Sequence, residues 1–258
     1  MKIGIIGLGF VGGAIHHAYK FQNTVELVLY DPYKGFEAND SELKTCDALF
    51  ISVPSPENKD GSCDTSLLES VLNKFKDYKG IFISKVTASP VKYQELQKIY
   101  PNLIHAPEFL VATTAKEDYI NGKFAIIGGD TNYCLTALDI IKLGQPNIEN
   151  FKICSIQEAA LAKYTINTFL ATKVIFMNQI KTLADAVNVD YTVLVECVKL
   201  DDRLGHSHFQ VPGPDGKFGF GGACFPKDTA ALNYLAKSLT IDMSILNQAI
   251  ETNKKIRN

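Results

Sequence analysis

The sequence has no CxxC pairs, no long apolar runs, no low-complexity tract or internal repeat, and no excess of either charge. Each absence removes a class of protein. The six cysteines, Cys46, Cys63, Cys134, Cys154, Cys197 and Cys224, are scattered without paired spacing, which argues against a zinc site and against the disulfide framework of a small secreted domain. A reducing, cytoplasmic setting is the expectation. Nothing approaches the ~18 continuous apolar residues of a membrane span. The apolar segment from Ile3 to Ile15 is interrupted by glycines and is followed by no small-residue cleavage site, so the chain reads as soluble and unexported. Lys plus Arg number 26 against 28 Asp plus Glu, and no basic run is interleaved with aromatics, so neither nucleic acid nor an anionic membrane is an expected partner. With 18 glycines and 10 prolines in 258 residues and 46% apolar residues, the chain is neither fibrous nor disordered and can bury a large core.

That length suits two unequal domains, since a typical domain has ~150 residues. Short β-branched runs at Lys2–Ile6, Val25–Tyr30, Ala48–Val53, Gly80–Ser84, Phe124–Ile127 and Ile148–Ile153 alternate with helical stretches such as Thr65–Phe75 and Thr131–Lys142. This is the pattern of a doubly wound, mostly parallel α/β sheet. From Ser155 helical periodicity takes over, so the expected division is residues 1–154 as a dinucleotide-binding Rossmann domain and 155–258 as an all-helical central domain. Ser155 and Glu158 have capping-box spacing, and a long helix should follow to about Val187. Its middle, Thr165 to Met177, is apolar on nearly every face, which suggests burial within the protein or against a second copy of the chain, and a symmetric dimer is an expectation. Residues 201–222 read as a long loop, and such loops usually serve a function. Helix resumes from Asp228 to Arg257.

Gly7-Leu8-Gly9-Phe10-Val11-Gly12 follows a strand and opens a helix. Gly7 permits the tight turn, Gly9 lets a pyrophosphate approach the backbone, and Gly12 lets helix and strand pack closely. Asp31, at the end of the second strand, can accept hydrogen bonds from ribose hydroxyls and would repel a 2′-phosphate, so the expected cofactor is NAD. A second motif is Gly219-Phe220-Gly221-Gly222-Ala223-Cys224-Phe225-Pro226-Lys227-Asp228. Pro226 fits a first helical turn and Asp228 suits its positive end. Cys224 would then sit just outside a helix N-terminus with Lys227 near by, surroundings that favour a thiolate. The preceding glycines leave room for a substrate. The other five cysteines read as small buried hydrophobes.

A nicotinamide site beside a nucleophilic cysteine suits four-electron chemistry. An alcohol is oxidised to an aldehyde, the thiolate adds, a second hydride leaves to give a thioester, and water releases an acid. The tetrahedral stages need oxyanion donors, which Lys163 and Asn167, at i and i+4 of the long helix, could supply. On spacing alone Lys163 reads equally well as an exposed lysine and Asn167 as a core amide. His206 and His208 are two apart in a loop without a third ligand, so no metal is expected.

These segments together resemble the UDP-glucose/GDP-mannose dehydrogenase family. GFGGACFPKD is similar to its catalytic-cysteine signature, and Gly7 to Gly12 with Asp31 to its NAD fingerprint. Val53-Pro54-Ser55-Pro56 resembles a cofactor loop and Lys85-Val86-Thr87 a KST-like segment. Ala106-Pro107-Glu108-Phe109-Leu110 resembles an NPEFL segment, and Glu158 to Asn178 the central helix. The resemblance implies Cys224 as nucleophile, Lys163 and Asn167 as oxyanion stabilisers, and Asp228 acting with Lys163 on the attacking water. Glu108 would assist thioester hydrolysis and Thr87 would position water. Gly7, Gly9, Phe10, Val11, Gly12, Asp31, Val53, Pro54 and Ser55 would bind NAD. Phe109, Leu110, Phe218 and Gly221 would bind substrate, with Arg203 reaching it across a homodimer interface.

The sequence departs from the family at Val111-Ala112-Thr113, where polar residues are usual, and at Phe124, where an arginine is usual. The family's third, nucleotide-gripping domain has no counterpart in these 258 residues. The function implied is oxidation of a nucleotide-sugar alcohol to the carboxylate, UDP-glucose to UDP-glucuronate before others, in polysaccharide biosynthesis. Two alternatives stand beside it: a two-electron 3-hydroxyacid-type dehydrogenase, and a truncated, weakly active NAD-binding assembly or regulatory module.

Overall fold

The computed structural model describes residues 1–257. They form two compact units, the first from residues 1–56 and 63–163, the second from 57–62 and 164 onward.

The first unit is built on an eight-stranded sheet. Its strands are β1 Lys2–Ile6, β2 Glu26–Asp31, β3 Phe36–Glu37, β4 Ala48–Ile51, β5 Ile81–Ser84, β6 Leu103–His105, β7 Phe124–Gly128 and β8 Asn150–Cys154. The spatial order is β3-β2-β1-β4-β5-β6-β7-β8. Pairing is parallel except at β2–β3 and β6–β7, so the sheet is mixed. The two strands the sequence did not announce, β3 and β6, each enter one of these antiparallel pairs.

The helices of this unit are α1 Phe10–Tyr19, α2 Asp40–Leu43, α3 Ser66–Lys74, α4 Pro90–Ile99, α5 Ala115–Ile120 and α6 Thr131–Gly144, followed by the start of α7 Ile156–Ala186. Side chains alternate across the strands, so each face of the sheet gathers its own core. Ile3, Ile5 and Phe50 pack with Ile15 and Tyr19 of α1 and Ile141 of α6. Ile6, Leu49 and Ile51 pack with Leu68 and Leu72 of α3 and Leu96 of α4. Helix starts follow the sequence: Ser89 accepts the Lys92 N–H at 3.1 Å with Pro90 in the first turn of α4, and Asp130 accepts the Asn132 N–H at 3.0 Å ahead of α6. The strand order reverses between β1 and β4, and the crevice beyond their carboxyl ends is where such sheets bind ligands. Gly7 follows β1 there, and Val53-Pro54-Ser55 follows β4.

Helix α7 opens with the expected box. Ser155 Oγ accepts the Glu158 N–H at 3.2 Å, and Glu158 Oε2 accepts the Ser155 N–H at 2.7 Å. The second unit contains the rest of α7, then α8 Tyr191–Val198, a 3₁₀ turn at Asp202–Leu204, α9 Phe225–Ser238 and α10 Ser244–Arg257. Met177 and Ala184 of α7 pack with Tyr191, Phe209 and Val211, while Ala171 and Ile175 pack with Phe220 and Ala249. The outward side of the same helix carries Phe169, Phe176 and Leu183 at seven-residue spacing, 68%, 59% and 59% exposed. The helical segment expected from Asp228 to Arg257 is made of two helices. Thr240 takes a left-handed conformation (φ 58°), and the Ile241 N–H bonds back to the Ala236 carbonyl at 2.8 Å, the geometry that ends a helix.

Candidate active site

In the first unit the glycine turn is shaped by backbone packing. Gly7 has φ 84°, which favours glycine, and a Cβ on Gly12 would lie 1.9 Å from the Gly7 carbonyl oxygen. A Cβ on Gly9 would meet nothing within 4 Å, so the turn leaves open space at the start of α1. That helix has no side-chain cap and no acidic residue in its first turn. Its positive end is therefore available to an anion, beginning at Phe10 and Val11.

Asp31 stands beside the turn, where its Oδ2 accepts the Leu8 N–H at 2.8 Å. Lys34 donates from Nζ to the Leu8 carbonyl at 2.5 Å. The sequence reading missed Lys34, because nothing in residue spacing announces a lysine that bonds a main-chain oxygen across a turn. The residues present fit a dinucleotide: an open glycine turn, an uncompensated helix N-terminus, and a carboxylate with an oxygen to spare.

The loop after β6 forms a second cluster in this unit. Glu108 Oε2 accepts the Leu110 N–H at 2.7 Å. The buried Lys163, from α7, donates to the Glu108 carbonyl oxygen, approaches its Oε1 to 3.7 Å, and lies 4.9 Å above the Phe109 ring. Phe109 in turn packs on Phe124, ring centroids 5.2 Å apart. Phe124 thus supplies an aromatic wall. Behind the loop is a cavity of about 90 Å³ whose lining includes Lys85, Glu108, Phe109, Tyr119 and Phe124. Burial of Lys85 brings its pKa down to about 8, against the pull of the Glu108 carboxylate. Thr87, two residues on, is half-buried. His105, at the end of β6, stacks on Tyr93 at 4.3 Å, and burial takes its pKa down to about 3, so it is neutral at ordinary pH.

In the second unit Cys224 is the N-cap residue of α9, half-buried, with Pro226 in the first helical turn as expected. Asp228, 1% exposed, has both carboxylate oxygens engaged. Asn167 Nδ2 donates to Oδ2 at 2.5 Å and Lys227 Nζ lies 2.6 Å from Oδ1. The Asp228 N–H bonds to the Cys224 carbonyl at 2.8 Å. Asp228 therefore fixes the orientation of the Asn167 amide and leaves its second N–H to donate elsewhere. Arg203 is exposed and pairs with Asp201 in its own turn. Phe218 is exposed, and Gly221 lies against Arg257. Asn178, Asn253 and Arg257 are structural participants that the sequence reading did not assign roles, because each acts on a backbone group distant in sequence that no local pattern announces, and Lys227, expected beside the Cys224 thiol, pairs with the Asp228 carboxylate.

Among the described residues no cluster of three or more His, Cys, Asp or Glu is placed to hold a metal. No helix of the described residues is long and apolar enough to cross a membrane. A doubly wound sheet with an open glycine turn and a neighbouring acid, in a chain that continues into an all-helical unit, defines a dinucleotide-binding architecture. Sequence comparison makes this specific. The NAD binding domain of the UDP-glucose/GDP-mannose dehydrogenase family matches residues 33–142 and the family's central domain matches residues 157–255; the chain belongs to that family, and its cofactor is NAD.

Relatives include UDP-glucose 6-dehydrogenase of Rickettsia bellii, 33% identical over 83% of this chain and 50% of that protein. UDP-glucose 6-dehydrogenase TuaD of Bacillus subtilis is 28% identical over 84% of this chain and 48% of that protein. A UDP-glucose dehydrogenase structure from Pyrobaculum islandicum superposes with a TM-score of 0.80 at 25% identity, covering 98% of this chain and 68% of that one. The chain spans about half the length of the curated relatives it matches.

Proposed function

We propose that the chain carries the redox chemistry of an NAD-dependent, four-electron nucleotide-sugar dehydrogenase, with UDP-glucose to UDP-glucuronate the preferred reaction. The observation that carries this reading is Cys224 at the start of α9, one turn before an Asp228 held by Asn167 and Lys227. A two-electron alcohol dehydrogenase has no use for a thiol there. Gly7, Gly9 and Gly12, the first turn of α1, Asp31 and Val53-Pro54-Ser55 would hold NAD. When bound, NAD supplies the hydride acceptor for both oxidations.

The remaining tasks fall to side chains. The positive end of α9 favours negative charge on the Cys224 sulfur, which forms a bond to the aldehyde carbon while the carbonyl pair moves to oxygen. Asn167 and Lys163 donate to that oxygen. After the second oxidation the carbon is a thioester. Water, positioned by Thr87 and deprotonated with help from Glu108 or, as the family resemblance implies, from Asp228 acting with Lys163, adds to it; the carbon–sulfur bond breaks and the sulfur returns as thiolate. Phe109, Leu110, Phe218, Gly221 and Arg203 are the substrate contacts in this reading. Six cysteines without a disulfide among the described residues suit a cytoplasmic setting, and a role in polysaccharide biosynthesis goes with the substrate class. The Phe169, Phe176 and Leu183 stripe suits a homodimer, against which a monomeric mass at micromolar concentration would count.

The test is stoichiometry. Nucleotide sugars (UDP-glucose, GDP-mannose and UDP-N-acetyl sugars) are screened by NADH absorbance, and two NADH per carboxylate formed are expected. Cys224→Ala should abolish acid formation and leave NAD binding intact. One NADH per substrate consumed at completion sinks the thioester route and favours a 3-hydroxyacid-type reaction. The Mycobacterium tuberculosis 3-hydroxyisobutyrate dehydrogenase shares the fold over 98% of this chain and 92% of its own, with a TM-score of 0.73 at 17% identity. NAD binding with no turnover of any nucleotide sugar favours an assembly or regulatory role.

A further inference from the structure

The segment leading into Cys224 is held by side chains that lie far from it in sequence. Asn253, on α10, makes a two-way bond to the Phe220 backbone, accepting its N–H at 2.7 Å on Oδ1 and donating from Nδ2 to its carbonyl at 3.1 Å. This is the pairing a neighbouring strand would provide. Asn178, on α7, accepts the Gly219 N–H at 2.9 Å. Arg257, in the last turn of α10, donates from Nη1 to the carbonyls of Phe218 and Gly219 at 3.2 and 3.5 Å, and its Nη2 pairs with the Asp215 carboxylate.

The glycines fit these contacts. A Cβ on Gly219 would lie 2.3 Å from Asn253 Oδ1, and one on Gly221 would lie 2.0 Å from Arg257 Nη2. The same segment thus offers its backbone to α10, and its Phe218 is exposed.

We propose that Asn253 and Arg257 are positioning residues: they fix the backbone of residues 218–221, and through it set the entry of the chain into Cys224. The proposal rests on reading 218–224 as the substrate and nucleophile segment. Chemically, Asn253 replaces a missing β partner, and Arg257 satisfies the Phe218 and Gly219 carbonyls. Loss of either side chain frees the segment without touching the reacting atoms.

The experiment compares the whole chain with Asn253→Leu, Arg257→Met and Arg257→Lys. Hydrogen exchange is read on peptides covering 213–224, and the Cys224 alkylation rate by iodoacetamide is referenced to the exposed Cys197. Both readouts need neither NAD nor sugar, so they decide the proposal even where the dehydrogenase reading fails. Expected is at least about tenfold faster exchange over 213–222 in Asn253→Leu and Arg257→Met, with the α6 and β5 amides unchanged, and an altered Cys224 rate. Arg257→Lys should restore part of the protection. With an active enzyme, KM for the nucleotide sugar should rise about tenfold while kcat changes less. Unchanged exchange and alkylation in a folded Arg257→Met protein overturn the proposal, whatever happens to turnover. If Asn253→Leu does not fold, Arg257→Met, at the helix end, carries the test alone.

Discussion

The two glycine-rich segments look alike in sequence and are built for different reasons. In the first unit, Gly12 is glycine because backbone meets backbone: its missing Cβ would overlap the Gly7 carbonyl, and that of Gly7 would sit 2.8 Å from the Ser52 carbonyl. In the second unit, Gly219 and Gly221 are glycine because backbone meets side chains, those of Asn253 and Arg257. A collision with a main-chain oxygen cannot relax without moving a strand, whereas a guanidinium can swing aside. Glycine therefore signals a rigid cradle in one place and an adjustable one in the other.

Buried side-chain atoms without a partner occur in both units, Asn233 Oδ1 in the second and Ser52 Oγ, His105 Nε2 and Tyr119 OH in the first, but the buried titratable groups differ. Asp228 in the second unit has partners on both oxygens. In the first unit His105 Nε2 has none, and Lys85 is buried with a depressed pKa. Strain from pH should therefore concentrate in the first unit.

The comparison breaks most sharply at Gly12. Gly12→Val should cost about 4 kcal/mol or more, by the overpacking and strain it forces at the strand–helix contact, and should abolish NAD binding. Urea unfolding and cofactor titration measure the two effects, and a stable, NAD-binding variant would remove the distinction between the segments.

Next comes Lys85→Met. An unfolded chain keeps this proton up to about pH 10.5, whereas the folded one releases it near 8, so between those values the unfolded state binds more protons and stability rises with pH. At pH 7 the burial costs about 3 kcal/mol. The variant should be more stable than the parent by up to that amount, with the difference shrinking from pH 8 to 10.5 in paired urea titrations.

His105 acts at the acid end. Its folded pKa of about 3 lies below the unfolded value of 6.5, so as pH falls from 6.5 toward 3 the unfolded state gains a proton the folded state refuses. This contributes about 2 kcal/mol of lost stability at pH 5, and His105→Asn should flatten that limb. The smallest effect belongs to Gly221→Ala, expected to cost about 1 kcal/mol as Arg257 moves aside. Its signature is faster exchange in 213–222 and little shift in Tm.

Much of this was legible in the sequence where the cause is local. The β-branched runs gave β1, β4 and β5, the Ser155–Glu158 box gave the start of α7, and Pro226 with Asp228 gave the start of α9. β6 escaped because Leu103–His105 is three residues long and ends in a histidine whose place depends on Tyr93. The break between α9 and α10 escaped because Thr240, rather than glycine, takes the left-handed position. At the candidate site, the residue types of Cys224, Lys163 and Asp228 stood out, while the pairing of Asn167 with Asp228 and of Asn253 with Phe220 required chain separations that no spacing rule spans.

Leu8, held by Asp31 at its N–H and by Lys34 at its carbonyl, has a thermodynamic meaning. Ordering a flexible residue on ligand binding costs about 1–2 kcal/mol. Here the ordering has been completed during folding, so association need not supply it, and the cofactor meets a surface whose entropy has already been spent. The glycine turn is stiff at Leu8, between two glycines whose freedom would have left it soft.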